Sequence, residues 1–231
     1  MNNIISLKNV SKLYKSKKNI KVLNNINFNF KKGKIYSLVG PSGSGKSTLL
    51  NLISLIDRPT SGKIKIENID TSINKKTTND NIRAKKIGII YQEKNLLSDF
   101  SAIENVYLAR LSLDNKKEKA ILDSKKILKS VGLSKRMDHY PGELSGGEAQ
   151  RIAISRALIN SPAIILADEP TGSLDFKNSK EIFKILFKLK NKERIIIFAT
   201  HNRYFANMAD CKIELLNGKI KVRNARVAKN I

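Results

Sequence analysis

At 231 residues the chain has room for one α/β domain with an inserted subdomain, and not for two independent domains. A hydrophobic fraction of 41% can build a core, but the longest apolar runs, at residues 163–167 and 195–199, fall far short of the ~20 residues that span a bilayer, so the chain is not expected to cross a membrane itself. The net charge of +24, from 44 basic and 20 acidic residues, is spread along the whole chain, which fits solvated faces better than a dedicated polyanion site and leaves room for a mild pull toward anionic lipid headgroups.

The N-terminal stretch MNNIISLKNV has neither a basic segment leading into an apolar one nor a small-residue cleavage site, so no secretory signal is expected. The lone Cys211 permits no internal disulfide and fits a reducing compartment. Residues 26–30 (INFNF) alternate apolar with polar, as do residues 63–66 (KIKI), which predicts half-buried strands near the N-terminus. Residues 35–39 (IYSLV), 87–91 (IGIIY), 163–167 (AIILA) and 195–199 (IIIFA) are nearly continuous apolar runs and suit strands covered on both faces. Helical stretches at 148–160 and 179–191 lie between them, so strands and helices alternate around a mostly parallel sheet. Residues 93–158 hold no buried strand and read as a helical insertion, while Asn217-Gly218, between strand-like runs in 213–222, predicts a hairpin. The expected organisation is a single domain over 1–231, with a core at 1–92 and 159–222, a helical subdomain at 93–158 and a tail at 223–231.

The most specific motif is GPSGSGKS, comprising Gly40, Pro41, Ser42, Gly43, Ser44, Gly45, Lys46 and Ser47, with Thr48 following. It matches G-x-x-x-x-G-K-[ST], follows a buried strand and opens a helix, which predicts a nucleoside triphosphate site. Its glycines let backbone N–H groups converge on phosphate oxygens at the positive end of a helix dipole, Lys46 would reach the β and γ phosphates, and the Ser47 hydroxyl would ligate magnesium. Residues 164–170 (IILADEP) end a buried strand in two adjacent acids that point differently. Asp168 is placed to hold magnesium and Glu169 to polarise the water that attacks the γ-phosphate, on a strand expected to neighbour that of the phosphate loop. A second glycine-rich turn, Leu144, Ser145, Gly146, Gly147 and Glu148, starts a helix with a hydroxyl and open N–H donors, and Ser145 and Glu148 stand at capping-box spacing.

Tyr14, the phosphate loop, Gln92 after the strand at 87–91, the LSGGE turn, ILADEP, the loop Gly172, Ser173, Leu174 and Asp175, and His201 after the strand at 195–199 occur in the order found in ATP-binding cassette (ABC) ATPases, which the chain resembles over residues 4–222. The resemblance implies an α/β, RecA-like P-loop NTPase fold: a mostly parallel sheet, an N-terminal antiparallel β subdomain and an inserted helical subdomain. It implies ATP and Mg2+ as bound groups, with the metal held by Ser47, Gln92 and Asp168 and catalysis by Glu169, His201 and Gln92. Tyr14 resembles the family's adenine-stacking aromatic, although it also reads as a plain surface residue. In the family the LSGGE loop caps the γ-phosphate held by an opposing subunit, and the loop at Ser173, Leu174 and Asp175 lies at the dimer interface. Many members carry an acid after the switch histidine where this chain has Asn202, which puts the contacts that position His201 in question; His139 reads as a loop residue.

Residues 91–106, 139–158 and 166–175 are similar to the ATP-binding subunits of bacterial lipoprotein-releasing systems, with macrolide-type exporters and cell-division complexes as close alternatives. That resemblance implies a homodimer working at the cytoplasmic face of the inner membrane with separate permease subunits, which dock on the helical insertion. A nucleic-acid-acting ABC ATPase is disfavoured, because the chain has one cassette and no sustained heptads. An inactive regulatory subunit is disfavoured because Lys46, Ser47, Asp168, Glu169 and His201 are all present.

Overall fold

A computed structural model describes residues 3–15, 19–72 and 76–223, so the tail expected at 223–231 lies, past Arg223, outside the described residues. Two sheets organise the molecule. The first is antiparallel and has the order β2-β1-β4-β5, from β1 (Asn3–Tyr14), β2 (Ile20–Lys31), β4 (Ser61–Ile66) and β5 (Ile69–Asp70). The second has the order β10-β9-β3-β8-β7-β6, from β3 (Ile35–Val39), β6 (Ile87–Ile90), β7 (Ile164–Asp168), β8 (Ile195–Ala199), β9 (Cys211–Leu216) and β10 (Lys219–Arg223). Its strands are parallel except for β10, which closes the hairpin predicted at Asn217-Gly218. Helices α1 (Lys46–Ile53), α2 (Lys76–Lys86), α3 (Ala102–Leu111), α4 (Lys117–Ser130), α5 (Gly146–Leu158), α6 (Phe176–Lys188) and α7 (Arg203–Ala206) complete the chain.

The nearly continuous apolar runs become strands covered on both faces: β3, β8 and β7 lie inside the sheet, and β6 is its edge. In β8, Ile195, Ile197 and Ala199 join Leu38, Leu166 and Ile213 in a core shared with α1 and the antiparallel sheet, while Ile196 and Phe198 join Ile154, Ile182 and Phe183 under α5 and α6. Every side chain of β8 is fully buried. Burying such a side chain stabilises by about 1.5–3 kcal/mol, which is why a short all-apolar strand can specify its place at the centre of a sheet. A third cluster, with Val106, Leu128 and Leu133, holds α3, α4 and α5 together as the helical insertion. Helix α5 belongs to two of these clusters: Ile152 faces the insertion, and Ile154 and Leu158 face the sheet.

The strand order and β1 differ from the reading of the sequence, as do β5 and α2, which it did not contain. The strand of the phosphate loop and the strand ending in Asp168 are not neighbours, because β8 lies between β3 and β7. The two sites still meet, since parallel strands bring all their carboxyl ends to one edge of the sheet, where ligands of open α/β folds bind. The 12-residue β1 has no counterpart in the sequence reading. Its register slips between Leu7 and Val10, where Asn9 takes a φ of 52°, and such a bulge interrupts the period of two that marks a strand.

Candidate functional site

The turn after β3 is built for phosphate. Gly40 has φ 153° and a Cβ there would run into the Leu215 carbonyl, and Gly45 caps α1 at φ 100° against Val22 and Leu23, so both need glycine. The opening N–H groups of α1 have no partner inside their own helix and so suit an anion. Lys46 curls over the loop and donates from Nζ to the carbonyls of Gly40 and Pro41, each at 3.0 Å.

Beside the loop lies a cavity of about 600 Å³. Gly40, Ser42, Gly43, Gly45, Lys46, Ser47 and Thr48 line one side, and Gln92, Asp168, Glu169 and His201 the other. Residues far apart in sequence therefore converge as expected. Pro41, Ser44 and Tyr14 do not line it: the Ser44 Oγ is buried without a partner, and Tyr14 stands at the end of β1, 39% exposed. The Tyr14 hydroxyl donates to Asp57 at 3.0 Å, and Lys12 Nζ sits 4.9 Å from its ring centre. Burial pushes the Asp57 carboxyl up, but bonds from Lys12, the Arg58 N–H and Tyr14 outweigh it and hold the group below the ordinary carboxylate range. Val22 of β2 adds an apolar wall that sequence reasoning missed, since only the packing of the antiparallel sheet on the loop brings it there.

Glu169 and His201 are joined directly, with His201 Nδ1 3.0 Å from Glu169 Oε2. Glu169 adopts a φ of 44°, a left-handed conformation that costs about 1–3 kcal/mol in a non-glycine residue and that clusters at functional sites. Its N–H donates to the Ala199 carbonyl and its own carbonyl accepts from Gly172, both at 3.0 Å, which holds the strained turn. Asn202 proves to be a cap: its side chain accepts from the Tyr204 N–H at 3.0 Å and opens α7. His201 is thus positioned by Glu169, and the residue after it positions the helix.

The segment carrying Gln92 is clamped by residues that the sequence reading missed. Arg156 donates to the carbonyls of Lys94 at 2.7 Å and Asn95 at 2.6 Å, and Lys94 Nζ donates to Ser173 Oγ at 2.8 Å. Burial pulls the Arg156 guanidinium below its ordinary pKa. The Gln92 side chain lies against Gly172, so close that a Cβ there would come within 2.9 Å of Nε2. The clamp could not be read from sequence, because arginine on an amphipathic helix ordinarily points to solvent.

The second glycine-rich turn does not reach this cavity in its own chain. None of Leu144, Ser145, Gly146, Gly147 or Glu148 lines it; Gly146 packs on Leu174 and Gly147 on Asn178. Ser145 and Glu148 form the expected capping box, with Ser145 N–H to Glu148 Oε2 at 2.9 Å and Glu148 N–H to Ser145 Oγ at 3.3 Å. The Ser145 N–H, then the Arg136 guanidinium 2.8 Å away, lower the Glu148 pKa to about 2. Asp175 caps α6 in the same way, accepting from the Asn178 N–H at 2.8 Å. Replacing Ser145 with Ala is expected to cost about 1 kcal/mol and to lower the melting temperature by about 2–4 °C in a thermal melt followed by circular dichroism. Because the Glu148 pKa is depressed in the folded state, its stabilisation is complete above the ordinary glutamate value and is lost as pH falls toward about 2. A Glu148→Gln variant should therefore differ from the parent in melting temperature at pH 7 and converge with it as the pH approaches that value.

The chain resembles known proteins over nearly its whole length. The ABC transporter family matches residues 23–172. A lipoprotein-releasing system ATP-binding protein LolD of Rickettsia bellii (strain RML369-C) is 46% identical over 223 residues, 96% of this chain and 99% of that protein. One of the same name from Wigglesworthia glossinidia brevipalpis is 45% identical over 230 residues, covering 97% and 100%. A dimeric structure of a post-hydrolysis state of the ATP-binding cassette MJ0796 bound to ADP and Pi superposes with a TM-score of 0.89 at 38% identity, covering 96% of this chain and 99% of that one.

Proposed function

This chain belongs to the ABC transporter family, and from that premise we propose that it is the ATP-binding and ATP-hydrolysing subunit of an inner-membrane system that releases lipoproteins toward the outer membrane. The observation that carries the chemistry is the convergence of the phosphate loop, Gln92, Asp168, Glu169 and His201 on one cavity. The lipoprotein cargo is supported by relatives of that name that match nearly the whole chain.

In this reading the loop N–H groups and Lys46 grip the phosphates of ATP, with Lys46 exchanging its two carbonyl contacts for phosphate oxygens. Ser47, Gln92 and Asp168 bring hydroxyl, amide and carboxylate oxygens to the same cavity, a donor set that suits Mg2+ held jointly with substrate phosphates. The metal would neutralise phosphate charge when bound. Glu169 takes the proton of a water whose oxygen bonds to the γ-phosphorus as the bond to the β-γ bridging oxygen breaks, yielding ADP and phosphate. His201, tied to Glu169, contacts the γ-phosphate and senses its loss. Two copies pack head to tail so that residues 144–148 of a second copy close each cavity, a reading supported by the dimeric cassette of similar fold.

Among the described residues no helix is long and apolar enough to cross a membrane, so the membrane path belongs to separate permease subunits. Their docking place is a groove of about 480 Å³ between α2, β6, α3 and α5, lined by Arg83, Ala109 and Asn160 and by the Arg156 that clamps the Gln92 segment. A helix seated there would move the segment that reports on ATP. The task is severe: at ~0.8 kcal/mol per methylene, exposing an acyl chain of about fifteen methylenes costs ~12 kcal/mol, so the chains must pass directly to a carrier and not through water. Depleting this subunit and separating inner from outer membranes tests the cargo. Lipoproteins destined for the outer membrane should accumulate in the inner one, and unchanged sorting with altered drug efflux or division would transfer the assignment to an exporter or cell-division complex.

A further inference from the structure

A second cavity, of about 590 Å³, lies behind the switch histidine on the β9 side of the phosphate loop. Its wall includes Gly40 and His201, which also line the nucleotide cavity, so the two spaces are neighbours that share this part of their walls. The remaining wall joins the neutral Val39, Pro41 and Thr200 to a charged side with more cations than acids. Arg203, Lys212 and Arg223 face a single acid, Glu214, whose Oε2 is paired with Arg223 at 2.9 Å. That pair cancels, and two formal positive charges remain. Lys212 commits one Nζ–H to Asn207 Oδ1 at 3.1 Å and keeps two, and Arg203 makes no ion pair among the described residues. His201 commits Nδ1 to Glu169. Positive charge spread over open faces needs no ligand, but here it lines a concavity whose acid is already neutralised, and concave basic walls concentrate anions.

We propose that this cavity is an oxyanion site that takes the inorganic phosphate leaving the nucleotide cavity past His201. The proposal rests on the ATPase reading above. When a second copy closes the nucleotide cavity and ADP still fills it, a phosphate dianion formed beside His201 has the basic cavity as its neighbouring space. Arg203 and Lys212 then serve as its binding cations, outside the residues that grip ATP.

The test uses the full chain, labelled inorganic phosphate and equilibrium dialysis, with and without saturating ADP. With ADP holding the phosphate loop, wild type should still bind phosphate, and an Arg203→Gln/Lys212→Gln double variant should bind it at least about tenfold more weakly with ADP affinity unchanged, as expected for loss of charged hydrogen bonds. Lys212→Arg, which keeps the charge, should retain phosphate binding and shows that the site survives substitution. A fluorescent phosphate sensor should also report slower phosphate release by the double variant after a single turnover. Equal phosphate binding by wild type and the double variant would overturn the proposal, as would a matching loss of ADP affinity. Absence of ADP binding in wild type would instead sink the nucleotide reading and the exit role with it, while the difference in phosphate binding between wild type and the double variant, whose phosphate loops are identical, still judges the oxyanion site.

Discussion

Replacing Glu169 with Gln is expected to leave ATP binding intact and to lower hydrolysis by about 100- to 10,000-fold, the range that a positioned general base contributes. Glutamine preserves the shape of the side chain, and its amide oxygen can still accept from His201 Nδ1, which lies 3.0 Å from Glu169 Oε2 in the parent. The backbone bonds that hold residue 169 at φ 44°, to Ala199 and Gly172, do not involve the side chain and should persist. What disappears is the capacity to take a proton. Bound ATP then cannot turn over, and the closed dimer accumulates. Single-turnover hydrolysis and sedimentation in saturating ATP read the two consequences separately. Near-normal turnover would remove Glu169 from its role as base, and a monomer in saturating ATP would defeat the head-to-tail sandwich.

Lys46→Ala should weaken ATP binding by about 10- to 100-fold and abolish measurable hydrolysis, because a hydrogen bond to a charged group contributes about 1.5–3 kcal/mol and the same ammonium must follow the charge that develops on the γ-phosphate. The fold should tolerate the change. In the structure Lys46 Nζ bonds only the carbonyls of Gly40 and Pro41, in the wall of the nucleotide cavity, and the core residues of α1 are Leu49, Leu50, Leu52 and Ile53. Titration with a fluorescent ATP analogue, alongside a thermal melt, separates the loss of binding from any loss of stability. A variant that hydrolyses ATP at a near-normal rate would remove the phosphate loop from its assigned role.

The chemistry of the site was legible in the sequence because it is carried by contiguous motifs whose local structure depends on few neighbours. A glycine-rich turn that ends in Lys-Ser between an apolar strand and a helix presents open N–H groups to an anion at the positive end of the helix dipole. Two acids at the end of a buried strand must emerge at the sheet edge, and a serine three residues before a glutamate at the start of a helix caps that helix, as Ser145 and Glu148 do. The nearly continuous apolar runs in β3, β6, β7 and β8 likewise pointed to a doubly covered parallel sheet, whose strands are buried on both faces.

Relations between distant residues were decided by the tertiary structure alone. The order of the strands, with β8 between the phosphate loop and the acid pair, depends on how crossovers wind around the sheet, and no local periodicity encodes it. The bulge in β1 erased the pattern that would have revealed that strand. Arg156 became a buried clamp on the carbonyls of Lys94 and Asn95 only because α5 packs between the helical insertion and the sheet, and Val22 became a wall of the nucleotide cavity only because the antiparallel sheet folds onto the phosphate loop. Likewise, the sequence supplied a second glycine-rich turn, but its distance from the cavity of its own chain is a property of the fold. Short-range chemistry is written in neighbouring residues, whereas long-range placement is the outcome of burying many apolar faces at once, which is a sum over the whole chain.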